Sequence, residues 1–314
     1  MIEIENLTKK YGDKIAVDNI SFKVKKGSIV GFLGKNGAGK STTMNIITGY
    51  ISATSGTARI NGYDILKNPM EVKKCIGYLP EKPPIYTEMT VMEYLKFVCA
   101  IKDVKASAIK SHIDEIAQLV KLTDVLNRRI GNLSKGYQQR VGMAQALVGN
   151  PEVLILDEPT VGLDPKQIIE IRRMIKALGK KHTIILSSHI LPEVADVCEQ
   201  VVIINEGKIV AQDTLANLQE GIQESANMIV RIAGSESAAT KVLRALSGVS
   251  FVEGLGIREK DTVDIMIETA KGVDIRRAMF NAMAKANLPI LMIKYVDVTL
   301  EDIFLKLTGT EREI

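Results

Sequence analysis

The chain has 314 residues, 46% of them hydrophobic and 25% charged, the make-up of an ordinary globular protein but longer than one average domain. Its 41 basic and 37 acidic residues leave a net charge of +4, too weak to argue for nucleic acid, and 4% aromatic content without tryptophan supplies few platforms for stacking single strands. No apolar run reaches the roughly 18 residues of a membrane span, the start Met1-Ile2-Glu3-Ile4-Glu5 lacks the regions of a signal peptide, and Cys75, Cys99 and Cys198 lack metal-ligand spacing, so a cytosolic protein with reduced thiols is expected.

Ile2 to Leu7 and Ala16 to Val24 alternate apolar and polar residues and predict β-strands. Between them lies Lys9-Lys10-Tyr11-Gly12. Tyr11 can pack on the sheet, or it can offer a flat ring on which an adenine base stacks. The apolar run Ser28 to Leu33 then leads into Gly34-Lys35-Asn36-Gly37-Ala38-Gly39-Lys40-Ser41, followed by Thr42 and by helix-compatible spacing up to Gly49.

This stretch fits G-x-x-x-x-G-K-[ST], in which backbone N–H groups wrap polyphosphate, the lysine reaches the outer phosphates and the hydroxyl ligates magnesium. The pattern alone arises by chance in roughly one chain in a hundred of this length. Strand, glycine loop, helix is the order the chemistry requires, because the glycines let the backbone approach the anion and the helix start presents free N–H groups and a positive dipole end. A plain glycine turn would not need Lys40 and Ser41 at those offsets.

Further on, Gly56 to Gly62 predicts a strand closed by an Asn-Gly turn, and Lys74 to Glu81 a strand that breaks at Pro80. From Thr90 to Leu126 the pattern is helical, with Ile109, Ile113, Ile116 and Val120 on one face, a helical insertion of about 50 residues. Ser134 in Leu133-Ser134-Lys135-Gly136-Tyr137-Gln138-Gln139-Arg140 is a natural N-cap for the next helix, whose start makes a second anion site.

Val153 to Leu156 is a continuous apolar run, typical of a strand covered on both faces, that ends in Asp157-Glu158-Pro159. Carboxylates at that end of a parallel sheet sit where ligands bind. Asp157 is the candidate to hold magnesium through its water shell, and Glu158 to orient or deprotonate an attacking water. Val161-Gly162-Leu163-Asp164-Pro165 turns into a helix from Gln167 to Leu178, and the strand Thr183 to Ser188 ends at His189, which can donate a hydrogen bond to a γ-phosphate. His112 and His182 read as ordinary core or surface histidines. Val201 to Asn205 and Lys208 to Ala211, joined by Glu206-Gly207, predict a closing hairpin.

The remainder predicts strand Met228 to Ile232, helix Ala238 to Leu246, strands Val249 to Gly254 and Val263 to Ile267, helix Ile275 to Ala286 and strand Ile290 to Tyr295, the βαββαβ order of ferredoxin-like folds. A last helix follows from Leu300 to Leu307, with Thr299 as cap. No catalytic cluster lies here, so regulation or dimer contact is expected of it, and a small-molecule sensor is a further reading.

With Gly34 to Thr42, Leu133 to Arg140, Leu154 to Pro159, Gly162 to Pro165 and His189 in this order, the first 215 or so residues resemble the nucleotide-binding subunit of ABC transporters. The tail V-T-L-E-D-I-F-L-K-L-T, Val298 to Thr308, resembles the end of ATPases of the ABC-2 exporter branch, whose members serve drug, sodium and gliding-motility-related export. The resemblance implies an α/β fold: a P-loop ABC ATPase domain over residues 1–216, with an antiparallel β subdomain and a helical subdomain at about 88–150, and a ferredoxin-like α+β domain over 217–314. It implies ATP and Mg²⁺, a head-to-tail homodimer, and a separate membrane permease, with the protein peripheral on the cytoplasmic face and no nucleic acid partner.

In such a dimer each ATP lies between one copy's Gly34 to Thr42 loop and the other copy's Ser134 and Gly136. Tyr11 matches the adenine-stacking aromatic, Asp164 the loop that communicates across the dimer, Glu158 the catalytic carboxylate and His189 the switch histidine. Two departures stand out. Glu81 takes the place of the usual glutamine, where its carboxylate can still ligate magnesium, and S-K-G-Y replaces S-G-G-Q. The rival reading is a soluble ABC ATPase acting on ribosomes or DNA; against it stand the single cassette and the absence of sustained heptads.

Overall fold

The computed structural model describes residues 2–222, 225–270, 272–296 and 299–308, so Val298, the first residue of the tail motif, lies outside the described residues. The chain divides into two compact units: Met1–Leu215 together with the stretch from Phe304 onward, and Ala216–Ile303.

In the first unit β1 (Ile2–Tyr11) and β2 (Lys14–Val24) form an antiparallel hairpin in which Tyr11 faces Lys14 across a turn with Gly12 at φ 58°. Lys9 to Tyr11, read from the sequence as a link, thus continues the strand. After β3 (Ile29–Leu33) and α1 (Lys40–Ile47), β4 (Ser55–Ile60) pairs with β1 and, through Asn61 and Gly62 at φ 50° and 85°, with the short β5 (Tyr63–Asp64). Paired positive φ values are the twist-matched geometry that Asn-Gly favours. These strands make a four-stranded antiparallel sheet in the order β2-β1-β4-β5.

The strand expected from Lys74 starts later. Pro69 opens α2 (Pro69–Cys75), its fixed φ and missing N–H suiting a first helical position, and β6 (Ile76–Leu79) begins only where α2 ends. The helical insertion holds α3 (Val91–Ile101), α4 (Ile109–Leu119) and α5 (Lys135–Leu147). Thr90 and Glu93 form a capping box at the start of α3, and α4 buries Ile113 and Ile116, with Val120 just beyond.

Then come β7 (Val153–Asp157), α6 (Pro165–Gly179), β8 (Thr183–Ser188), α7 (Leu191–Val197), β9 (Gln200–Asn205), β10 (Lys208–Thr214) and α8 (Leu215–Ile222). The second sheet runs β10-β9-β3-β8-β7-β6, parallel except for the antiparallel edge strand β10. Every residue of β3, β7 and β8 is buried, as expected of parallel strands covered on both faces. Phe22 and Phe32, their ring centroids 5.4 Å apart, join the two sheets in one core with Ile4, Met44 and Ile155.

The second unit contains β11 (Ser225–Ala233), α9 (Glu236–Arg244), β12 (Val249–Gly256), β13 (Thr262–Ala270), α10 (Arg276–Lys285) and β14 (Ile290–Val296). Its sheet is antiparallel in the order β12-β13-β11-β14, the ferredoxin-like arrangement, over a core that includes Val230, Ile265, Leu243 and Met279. The last helix, α11 (Leu300–Thr308), is capped by Thr299 and Asp302 and buries Leu300, Ile303 and Phe304 at i, i+3, i+4 spacing. From Phe304 the chain groups with the first unit, in contrast to the single domain over 217–314 that the sequence leads one to expect. Among the described residues no helix is long and apolar enough to cross a membrane.

Candidate functional site

β3, β6, β7 and β8 are parallel, so the segments that follow them emerge at one edge of the sheet, where ligands of open α/β sheets bind. The register puts Leu33 beside Ser188 and Asp157 beside Ser187, which brings residues far apart in the sequence into neighbouring rows.

The loop after β3 needs its glycines. A Cβ on Gly34 would lie 2.5 Å from the Ile204 carbonyl oxygen, and Gly39, at φ 108°, would place one 2.6 Å from that of Ala16. α1 then starts at Lys40, so the N–H groups of Lys40, Ser41 and Thr42 have no acceptor inside the helix. Lys40 curls back over the loop: its buried Nζ donates to the Gly34 carbonyl at 2.8 Å and the Lys35 carbonyl at 3.3 Å, and lies 3.4 Å from Glu158 Oε1. Ala38 is buried beneath.

At the end of β7, Ser187 donates its hydroxyl to the Asp157 carboxylate, while the Glu158 N–H donates to Ser187 Oγ at 3.0 Å and to the Ser187 carbonyl at 3.2 Å. These bonds hold Glu158 at φ 48°, a left-handed conformation uncommon for a non-glycine residue and typical of sites where strain is retained. His189 Nδ1 lies 2.9 Å from Glu158 Oε2. Burial pushes the Asp157 carboxyl above the usual carboxylate range, hydrogen bonds from Ser187 and Ser41 oppose that rise, and the charges of Glu158 and Glu81 add to it.

Lys40, Ser41, Glu81, Glu158 and His189 border a cleft of about 520 Å³. Tyr11, Lys14 and Ala16 line it from the β1–β2 hairpin; Asn36, Gly37 and Gly39 to Thr42 from the loop and α1; Glu81, Glu158, Val161 and His189 from the loops after β6, β7 and β8. Tyr11 is half exposed there, with the Lys9 ammonium 5.1 Å from its ring centroid. Among the described residues no group of three or more His, Cys, Asp or Glu has metal-binding geometry. Asp157 accepts from Ser41 and feels the charge of Glu81, and Ser41 and Glu81 line the cleft, oxygen donors of the kind magnesium takes.

Seven expected site residues do not line this cleft: Gly34, Lys35 and Ala38 of the loop and Asp157 at the end of β7, which lie beside it, and Ser134, Gly136 and Asp164. Ser134 occupies the N-cap position of α5, but its hydroxyl makes no capping hydrogen bond, contrary to the expectation of a side-chain cap. Gly136 is buried where a Cβ would lie 2.6 Å from the Gln167 side-chain amide. Asp164 caps α6 in its own chain, accepting from Gln167 N–H at 2.9 Å. Ser187, Lys14, Ala16 and Val161 belong to the site without being evident in the sequence. For Ser187 a signal is present: the apolar run of β8 turns polar at Ser187-Ser188, just where the neighbouring strand carries its carboxylates.

The chain is similar to known proteins over much of its length. A family profile described as "ABC transporter" matches residues 17–161. "Uncharacterized ABC transporter ATP-binding protein YhcH" of Bacillus subtilis (strain 168) is 34% identical over all of this chain and 97% of its own length. "Nod factor export ATP-binding protein I" of Burkholderia orbicola (strain AU 1054) is 31% identical over 99% of this chain and 98% of its own, and "Bacitracin transport ATP-binding protein BcrA" of Bacillus licheniformis is 41% identical over 70% and 72%. Among solved structures, a dimeric ATP-binding cassette in a post-hydrolysis state with ADP and Pi superposes with TM-score 0.62 at 26% identity, over 68% of this chain and 99% of that one. A glycine loop, a strand-end carboxylate pair and whole-length kinship place the chain in one family: it belongs to the ATP-hydrolysing, ATP-binding subunits of ABC transporters, in the ABC-2 exporter branch.

Proposed function

We propose that this chain works as a head-to-tail homodimer on the cytoplasmic face of a membrane, where hydrolysis of ATP drives export through a separate permease. The observation that carries the reading is a division within one chain. Lys40, Glu81, Glu158 and His189 converge on one cleft, while Ser134 and Gly136, which the family resemblance assigns to the same nucleotide, do not line it. A second copy would bring them there.

In this reading the N–H groups of Gly37 and of Gly39 to Thr42, with the Lys40 ammonium, hold the β- and γ-phosphates, and Tyr11 stacks on the adenine. Ser41, Asp157 and Glu81 would hold magnesium, which when bound would neutralise phosphate charge. Nucleotide binding requires Lys40 to turn from Glu158 toward the phosphates, which frees the Glu158 carboxylate to orient or deprotonate the attacking water. His189 keeps that carboxylate in place and donates to the γ-phosphate. Asp164 transmits the state of one site to the other copy. Closing and opening of the dimer would then be the rigid-body switch read by the permease, docked near Glu81 and the helical insertion.

The outward direction is supported by a relative named for Nod factor export. The ribosome- or DNA-associated alternative finds no such support, since YhcH and the Nod factor protein match the whole length of the chain and carry transporter names. The test is the oligomeric state with Mg-ATP of Glu158→Gln: dimers by light scattering are expected, and a protein that stays monomeric removes the shared site.

A further inference from the structure

Glu193 is a buried carboxylate that the proposed chemistry leaves unused. It lies on α7, four residues after His189, and is 4% exposed. Its Oε2 accepts the hydroxyl hydrogen of Thr160, also 4% exposed, which lies two residues after Glu158. Its Oε1 lies 3.9 Å from an Arg172 guanidinium nitrogen on α6, and Arg172 pairs in turn with Asp196 one turn further along α7. Arg172 Nε is buried with no partner among the described residues. A charge in such a place is unfavourable unless paired, and an apolar side chain would fill the same volume at less cost. What the carboxylate does instead is join the segment after Glu158 to the segment after His189.

Among the described residues, the other hydrogen bonds of the stretch Pro159 to Leu163 run through its backbone. Gln139 of α5 donates to the Pro159 carbonyl at 3.0 Å, and Val161 N–H to the Glu158 carbonyl at 3.2 Å. A left-handed backbone at a residue such as Glu158 persists only where its surroundings over-determine it. The Thr160–Glu193 bond is the side-chain anchor nearest on the carboxyl side of that residue.

We propose that Glu193 is a positioning residue of the ATPase site, tying Thr160 to α7 so that the Glu158 carboxylate and the His189 ring keep their 2.9 Å contact through the reaction. The inference rests on the roles assigned above to Glu158 and His189. A displacement of these groups by about 1 Å would lower the chemical step by roughly 100-fold without touching the residues that hold nucleotide.

The test compares Thr160→Val, Thr160→Ser and Glu193→Leu with the parent chain, turnover being expressed per site that binds a fluorescent ATP analogue so that unfolded protein does not count. Thr160→Val and Glu193→Leu should lose about 10- to 100-fold in kcat while KM for ATP and analogue affinity stay within about twofold. Thr160→Ser, which keeps the donor, should restore turnover to within about threefold of the parent, and Thr160→Val should change nothing further in a Glu158→Gln background. A kcat within about twofold of the parent in both Thr160→Val and Glu193→Leu, with Glu158→Gln inactive, overturns the inference and leaves the site assignment standing. Loss of analogue affinity or thermal stability with unchanged kcat per site overturns it as well. Turnover retained by Glu158→Gln would remove the site assignment itself, and this inference with it.

Discussion

Replacing Glu158 by glutamine isolates one charge in the middle of the site. That charge lies 3.4 Å from Lys40 Nζ, with both side chains more than nine-tenths buried. At an effective dielectric constant of about 20 the attraction is about 5 kcal/mol, an upper bound before desolvation is counted. Nucleotide binding has to redirect Lys40 toward phosphate, and it also brings that phosphate toward a like charge. Removing the carboxylate charge lifts both penalties, and a net gain of about 1–2 kcal/mol corresponds to roughly 5- to 30-fold tighter binding of Mg-ATP. The fold should survive, because Lys40 still donates to the Gly34 and Lys35 carbonyls and the amide oxygen still accepts from His189. Turnover should fall by about 10²- to 10⁴-fold, the usual contribution of a general base. Displacement of a fluorescent ATP analogue measures the first effect and phosphate release the second. Normal turnover refutes the role of Glu158, and weaker ATP binding refutes the argument that it competes for Lys40.

Tyr11→Ala should weaken ATP binding by roughly 0.5–1.5 kcal/mol, the worth of an aromatic stack, with kcat at saturating ATP unchanged. Unaltered affinity would assign the half-exposed ring to packing. Asp157→Asn should raise the Tm of the ligand-free protein at neutral pH. Burial raises the folded-state pKa of Asp157, so its contribution to stability is present below the unfolded carboxylate pKa and lost as pH rises through the folded value; the gain in Tm should therefore shrink as pH is lowered through the carboxylate range. The same variant should lose the extra stabilisation that Mg-ATP gives over ATP alone, and a lower Tm at pH 7 would show that hydrogen bonds to the charged form outweigh its burial.

Much of this site is legible in the sequence because its chemistry is local. Gly34 to Thr42 and Leu154 to Glu158 each carry their functional groups within ten residues, on or directly after the strand that positions them, so spacing alone locates them. The sheet of the second unit is equally readable, since β11 to β14 and the two helices between them succeed one another in βαββαβ order with clear changes of period. The hidden part depends on strand neighbours. Ser187 acts on Asp157 and Glu158 only because β8 lies beside β7, and Lys14, Ala16 and Val161 reach the cleft only through the packing of the hairpin and the loop. α2 and α7 are not visible in the sequence because seven residues give too short a window for helical periodicity, and Pro69 suits a turn as well as a helix start. The left-handed Glu158 has no sequence mark, because glutamate is not a residue that favours positive φ.

The hydroxyl of Ser134 gives a last test of whether the site is shared. A serine at an N-cap ordinarily bonds a first-turn N–H, and its loss costs about 0.5–2 kcal/mol. Here the hydroxyl makes no such bond and the residue is exposed, so Ser134→Ala should leave the Tm of the monomer unchanged. Nor does Ser134 line the cleft of its own chain, so the affinity of the monomer for ATP, measured at concentrations too low for dimers, should not change either. The cleft itself is short of positive charge: Lys14 and Lys40 face Glu81 and Glu158, with Asp157 beside them, before any phosphate enters. A helix start contributed by a second copy, with the Ser134 hydroxyl at its head, would supply donors that this cleft lacks. The variant should therefore lose ATP-dependent dimers and turnover together while folding and monomer binding stay intact. If Ser134→Ala weakens ATP binding to the monomer, the start of α5 serves its own chain's nucleotide and the shared site falls; if it leaves dimers and turnover untouched, the hydroxyl serves neither.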